Sequence, residues 1–284
     1  MALKVEIIRH NAKEKDVPSE VFLGKDLDYG TYDETWRLNR GKVSPNIVVF
    51  DPEMPGRGML LHFDPNDRQK ITAELPMPCS SVDIDNFIKV VCRIADYWDA
   101  SIRSENGDNM PSVVFAANDK NIKEFNRKFI LETAGKVSSG ESNSFMLFGC
   151  LWPLFLGKTE ADVIAKDPKK FDEWMIRLQT DDVFYAGVHF YRGENGPFGV
   201  YALGEYCTSV FPTKPYVPFG MTDGGEPLKC EDYRVCLFAD KERIGEIRYE
   251  DLISKLPASK VSRYDEKCIK IEGLTKEEIM SLLS

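Results

Sequence analysis

Three short apolar runs between residues 46 and 75 constrain the fold of this chain most. NIVVFD (46–51), GMLLHFD (58–64) and KITAEL (70–75) have strand length, and their connectors hold Pro52, Pro55, Gly56, Pro65 and Asn66. Connectors this short cannot carry a crossover helix, so the strands must run antiparallel as a meander. In KITAEL, Ile71, Ala73 and Leu75 fall on one side, as the two-residue period of a strand requires. An amphipathic helix follows at once. In SSVDIDNFIKVVCRIADYWD the residues Ile84, Phe87, Ile88, Val91, Ile94, Ala95 and Trp98 recur at spacings of three and four, which keeps them on one helix face. Ser80 with Asp83 three residues on predicts the N-terminal capping box.

The rest of the chain reads in the same vocabulary. Residues 3–10 predict a first strand and 24–46 a long surface excursion rich in Gly, Asp, Asn and Arg. SVVFAA (112–117) reads as a buried strand. A helix follows from residue 119, with a stripe of Ile122, Phe125 and Phe129 and a stop at Gly135. KVSSGESNS (136–144) has the composition of a linker. SFMLFGCLWPLFLG (144–157) predicts a buried strand and a turn. Short helices are expected from Thr159 and after Asp167-Pro168, the second burying Phe171, Trp174, Met175 and Leu178. Residues 183–192 and 198–206 flank a Gly-containing knot at 193–197 and predict a hairpin whose faces are both largely apolar and both covered. Strands at 233–240 and from 243, a short helix, a hairpin in VSRYDEKCIKIEG and a helix capped by Thr275 and Glu278 complete the chain, the last burying Ile279, Leu282 and Leu283. The fold class is α+β, mostly antiparallel sheets with helices packed on them. Two similar lobes, 1–135 and 145–284, joined by a 136–144 linker, and a single compact domain both fit.

Composition removes several roles. A chain of 284 residues with 43% hydrophobic and 29% charged residues can bury a core without disulfide or metal staples. Its net charge of −9 repels phosphate backbones, so no nucleic-acid binding is expected. MALKVEIIRH alternates and is charged, so no signal peptide is expected. The run at 144–157 falls short of the about 20 apolar residues a membrane span needs, so no membrane partner is expected. Seven cysteines, an odd number without a spacing pattern, fit reduced thiols in a cytoplasm. The expectation is a soluble, acidic, cytoplasmic protein.

Chemistry-bearing motifs are sparse. His10, His62 and His189 are the three histidines, and none belongs to a ligand-spaced pair, so no metal and no cofactor are expected. PGRGML (55–60) is not followed by a helix as a phosphate loop would be, and reads as a strand–strand turn with Arg57 in solvent. MTDGGEP (221–227) also reads as a turn. Asp51, Glu53, Asp64 and Asp67 read as solvated loop acids.

The aromatic, loop-rich region 187–230 offers the one candidate ligand site, lined by Arg192, Glu194, Tyr201, Tyr206 and Tyr216. Three stretches, GRGMLLHFD, ITAELPMPCSSVDIDNFIKVVCRIADYW and FYAGVHFYRGENGPFGVYALGEYCTSVFP, together resemble an uncharacterised bacterial family, a domain of unknown function. The resemblance covers most of the chain. It implies a bacterial, cytosolic protein without an assigned activity or site. The leading expectation is a non-enzymatic interaction or regulatory protein with a protein partner, one version being an immunity-type protein that neutralises a basic toxin. The alternative is an enzyme or small-molecule binder using the 187–230 hairpin and loop. Oligomeric state and enzymatic status stay open.

Overall fold

A computed structural model describes residues 1–10, 16–33, 37–194 and 196–284. The chain divides into two compact units, Met1–Thr180 and Asp181–Ser284. Unit 1 runs β1 (Ala2–Arg9), α1 (Ser19–Leu23), β2 (Asp28–Tyr32), β3 (Leu38–Arg40), β4 (Asn46–Phe50), β5 (Met59–Phe63), β6 (Lys70–Pro76), α2 (Ser81–Trp98), β7 (Ala100–Ser104) and β8 (Asn109–Met110). It continues with α3 (Ser112–Ala116), α4 (Asp119–Ser138), β9 (Phe145–Phe148), β10 (Pro153–Leu156), α5 (Lys158–Ile164) and α6 (Lys170–Gln179). Eight strands form one antiparallel sheet in the order β3-β2-β4-β5-β6-β1-β7-β8.

The register puts the expected apolar side on one face. Ile7 lies opposite Ile71 and Ile102, and Leu61 opposite Ile47 and Ala73. α2 lays Ile84, Phe87, Val91 and Ile94 on this face, all at most 1% exposed. The other face carries ion pairs, Lys4 with Glu74 and Lys70 with Glu6, each at 3.1 Å. An antiparallel sheet covered on one side alternates in this way. The capping box is formed: the Ser80 hydroxyl accepts from the Asp83 backbone N–H and the Asp83 carboxylate from that of Ser80.

Unit 2 runs β11 (Phe184–Tyr185), β12 (His189–Gly193), β13 (Gly196–Gly204), β14 (Ser209–Pro212), β15 (Thr222–Asp223), β16 (Glu226–Pro227), β17 (Asp232–Ala239), β18 (Glu242–Arg248), α7 (Tyr249–Lys255), β19 (Val261–Arg263), β20 (Cys268–Ile271) and α8 (Lys276–Ser281). It holds two four-stranded sheets, β12-β13-β17-β18 and β11-β14-β20-β19. The pairs β13–β17 and β11–β14 are parallel and the others antiparallel. The inner face of the first sheet buries Tyr201, Leu203, Tyr233, Val235 and Leu237, against Phe211, Tyr249 and Leu252. Gly199 fits here because a Cβ would come within 2.6 Å of the Tyr233 ring. Among the described residues no helix is long and apolar enough to cross a membrane.

Several expectations need correction. SVVFAA is helix α3, not a strand. Pro111 stands at its N-cap, Phe115 packs on Phe87 with ring centroids 6.1 Å apart, and Val113 and Val114 point to solvent. One burial point per helical turn overrode the β-branched run. α4 passes Gly135 because Ala134 and Val137 are both buried, and the left-handed residue that ends the turn is Gly140 at φ 81°. Phe125 is exposed, and Asn126 and Ile130 take its place in the buried face. The 136–144 segment therefore lies inside unit 1, as the last turn of α4 and the approach to β9. The 24–46 excursion contains β2 and β3, with 34–36 outside the described residues. The hairpin exists as β12–β13, with Asn195 outside the described residues, but only one face of β13 is fully buried. Leu283 is exposed while Ile279 and Leu282 are buried. The two units differ in strand order.

Tyr201 is 2% exposed, with the Tyr249 ring 5.0 Å and the Phe211 ring 5.9 Å away, centroid to centroid. Tyr201→Ala is expected to cost about 3–5 kcal/mol, read as a lower melting temperature in a thermal scan. An unchanged melting temperature would contradict the placement of Tyr201 in the core.

Candidate functional site

The five residues expected to line a ligand site do not share one cleft. Arg192 and Glu194 are exposed at the hairpin tip, where Arg192 pairs with Asp223. Tyr206 lies past the other end of β13, 71% exposed, with φ 54° and its N–H donating to the Leu274 carbonyl. At about 3.3 Å per residue, these two ends of the strand are roughly 30 Å apart. Only Tyr201 and Tyr216 meet: the Tyr216 backbone hydrogen-bonds the Tyr201 hydroxyl.

These two belong to a cluster of phenols in unit 2. Tyr185 hydrogen-bonds Tyr216 and contacts Cys268 Sγ at 3.6 Å, while the Tyr249 hydroxyl donates to the Pro212 carbonyl at 2.5 Å. Burial pushes the pKa of Tyr216 up to about 12, and raises those of Tyr185, Tyr201 and Tyr249 further. A phenol whose pKa is raised by folding stabilises the native state below its unfolded value, near 10, and loses that contribution as pH rises toward the folded value. At pH 11 each such group is expected to cost about 1.4 kcal/mol. Absorbance titration at alkaline pH should show these phenols ionising only together with loss of the native fold. Smooth ionisation of every tyrosine near pH 10 in folded protein would contradict the burial.

In unit 1 the residues with chemical potential lie where the sequence suggested a plain turn. Arg57 is half-buried, not in solvent: its Nε donates to the Phe148 carbonyl and a terminal N–H to the Pro78 carbonyl, each at 3.0 Å. Its backbone N–H donates to Asp83 Oδ2 at 3.0 Å, and that of Gly58 to Oδ1 at 2.9 Å. The Ser80 N–H and hydroxyl complete four donors on one carboxylate that is 4% exposed. A Cβ on Gly56 would collide with Asp83 Oδ2, so the glycine permits this close approach. Burial pushes the Asp83 carboxyl up, against the pull of the Arg57, Ser80 and Gly58 hydrogen bonds. Burial likewise lowers the Arg57 guanidinium, opposed by nearby Cys79, Asp83 and Tyr32.

Neighbouring segments close on this node. Asn126 accepts from the Cys79 N–H at 2.9 Å and donates to its carbonyl at 2.8 Å. The Cys150 N–H donates to the Gly56 carbonyl, and Tyr32 donates its hydroxyl to the Cys150 carbonyl. Gln179 accepts from Leu151 N–H and donates to the Trp152 carbonyl. Burial raises the thiol pKa of Cys79 and Cys150 well above the ordinary value, which suits inert structural thiols rather than nucleophiles. The chemistry of the node is therefore positional: one carboxylate orders two loops and the start of α2. The signal in the sequence was the Gly-Arg-Gly of PGRGML together with the acid of the capping box, and nothing in either pointed to the other. Asp83→Asn puts an amide where four donors converge. It is expected to destabilise unit 1 by about 2–3 kcal/mol, measured by chemical denaturation; a loss below ~1 kcal/mol would contradict the role.

The remaining candidates resolve into turns and surfaces. Asp51, Asp64 and Asp67 each accept a backbone N–H two residues on, closing their own turns. His62 on β5 contacts Asn46 and His189 on β12 is exposed, in different units. Among the described residues, two open features could receive a ligand or partner. One is a cleft of unit 1 between α1, the end of α2 and the β4-β5-β6 edge, lined by Phe22, Ile47, Phe63, Arg68, Ile71 and Trp98 among others. The other is the outer face of the β12-β13-β17-β18 sheet. There Tyr191 stacks on Phe198 at 5.7 Å and Arg234 lies 4.8 Å over the same ring. Arg234 also pairs with Asp232 at 2.7 Å and Glu246 at 3.1 Å, and Arg243 with Glu246 at 2.6 Å.

Comparison with known proteins bears on both units at once. No curated protein and no solved structure matches the chain. A family model described as a domain of unknown function, DUF4299, matches residues 4–282, from β1 through α8. With nearly its whole length matched, the chain belongs to the DUF4299 family.

Proposed function

We propose that this chain is a non-enzymatic interaction or regulatory protein that binds a protein partner through the outer face of the β12-β13-β17-β18 sheet. The observation that carries this reading is the make-up of that face. Its aromatic pair Tyr191 and Phe198 is bordered by arginines and carboxylates already paired with one another. Such a face is held in place by its own ion pairs and close to neutral. It suits contact by shape and aromatic area, in which Tyr and Arg are the residues that carry most binding energy. Tyr191 is 55% exposed and the Arg248 side chain 75% exposed, so both are available to a partner.

Net charge supports the choice of partner. A body carrying −9 steers a basic protein toward it, with an association rate that falls as salt rises. An immunity-type role against a basic toxin is the form of this reading that the charge favours. The setting assigned is a bacterial cytoplasm, supported by seven cysteines that all stand as free thiols.

Native mass spectrometry of the protein isolated gently from its own cell tests the reading. An added protein mass at fixed stoichiometry is expected, absent from a Tyr191→Asp/Arg248→Glu double variant of unchanged melting temperature. Retention of the partner by that variant would count against the sheet face. An added small mass in place of a protein would count against the interaction role.

A further inference from the structure

The cleft lies within unit 1 and is independent of the reading given to the sheet face of unit 2. Its position follows from a mismatch between helix and sheet. α2 covers the inner sheet face only as far as Trp98, after which Asp99 turns away in a left-handed conformation at φ 48°. Ile71 and Phe63 are paired across β6 and β5 on that same inner face, and Ile47 lies one strand further out. These apolar residues extend past the end of the helix. Phe22 of α1 closes one side, with its ring 6.2 Å from that of Phe63, and Arg9 lies 4.3 Å over the Trp98 ring. The space left is about 590 Å³, within the range of roughly 300–1,000 Å³ typical of small-molecule sites.

The mouth adds one polar feature to these apolar walls. Arg68, on the connector between β5 and β6, lines the cleft and is exposed, and among the described residues it has no ion-pair or hydrogen-bond partner. Asp64 and Lys70, which also line the cleft, have partners of their own. Asp64 accepts the Asn66 N–H at 2.8 Å, and Lys70 pairs with Glu6 at 3.1 Å. Asp16 also reaches the rim, so the mouth carries no large excess of charge and suits one anionic group rather than several. An apolar chamber with a single uncommitted guanidinium at its opening matches a ligand with an apolar body and one carboxylate, since guanidinium binds carboxylate through paired N–H donors.

We propose that this cleft binds a small amphipathic monocarboxylate, its apolar body against Phe63, Val43 and Trp98 and its carboxylate on Arg68. Isothermal titration of the full chain with n-decanoate, below its micelle concentration, tests this, with n-decanol as the uncharged counterpart. One saturable site for decanoate is expected, with decanol bound at least about fivefold more weakly. Arg68→Gln, at an exposed position, is expected to weaken decanoate about tenfold, the size of one charge-assisted contact, and to leave decanol unchanged. Val43 lines the same cleft at 76% exposure, so Val43→Asp leaves the core intact and is expected to weaken both ligands. Absence of saturable decanoate binding, equal affinity for acid and alcohol, or affinity unchanged in both variants would overturn the proposal.

Discussion

Asp83 accepts hydrogen bonds from three backbone N–H groups and a hydroxyl in a buried position at the start of α2. Two of those donors belong to the β4–β5 connector and two to the residue that caps the helix. The carboxylate thus fixes the helix against the sheet at the point where the chain leaves β6. A buried acceptor with four donors is costly to disturb, because each orphaned donor loses its water as well as its partner. Arg57 carries the constraint outward: its backbone serves Asp83 while its side chain holds the carbonyls of Pro78 and Phe148. The β9–β10 hairpin, the loop before α2 and the end of α6 through Gln179 gather around this one carboxyl group.

The sheet and helix arrangement of unit 1 follows from that anchor. With α2 pinned at its N-terminus, its apolar face runs along the β1, β5 and β6 residues until Trp98. The sheet is wider and longer than one helix can cover; α1 packs over part of the remainder, and the cleft opens beside it. Unit 2 meets the same problem differently. Its first sheet buries one face on aromatic side chains, with the Tyr201 ring against those of Phe211, Tyr233 and Tyr249. Its other face compensates its own charges instead of being covered. The two exposed features proposed to act, the cleft and the sheet face, are both places where an element runs out of partner.

Local signals were readable in the sequence and long-range ones were not. The period of Ile84, Phe87, Val91 and Ile94 and the Ser80–Asp83 cap sit within one helix, and so did the meander before it, because short connectors leave a single geometry. SVVFAA misled because its β-branched residues speak for a strand while Pro111 and Phe115 decide for a helix turn. Gly135 misled because burial of Ala134 and Val137 outweighs the cost of one glycine in a helix, about 1 kcal/mol. The parallel pairing of β13 with β17 joins segments on either side of the 209–230 stretch, which periodicity does not report. Arg57 read as solvated because its partners lie 21 and 91 residues away. Of the expected ligand residues, Tyr201 and Tyr216 do meet, through core packing, whereas Arg192 and Glu194 lie at the hairpin tip and Tyr206 past the far end of β13.

Native-state hydrogen exchange at the backbone amides of Arg57, Gly58 and Ser80 is the most direct measurement of the anchor. All three lie outside helix and strand, where amides ordinarily exchange by local opening. If Asp83 organises unit 1, these three amides exchange only through global unfolding, with protection equal to that of the β5 and β6 core. Exchange at loop rates, with the core still protected, would show that the carboxylate is a passenger in a fold held by α2 and the sheet alone.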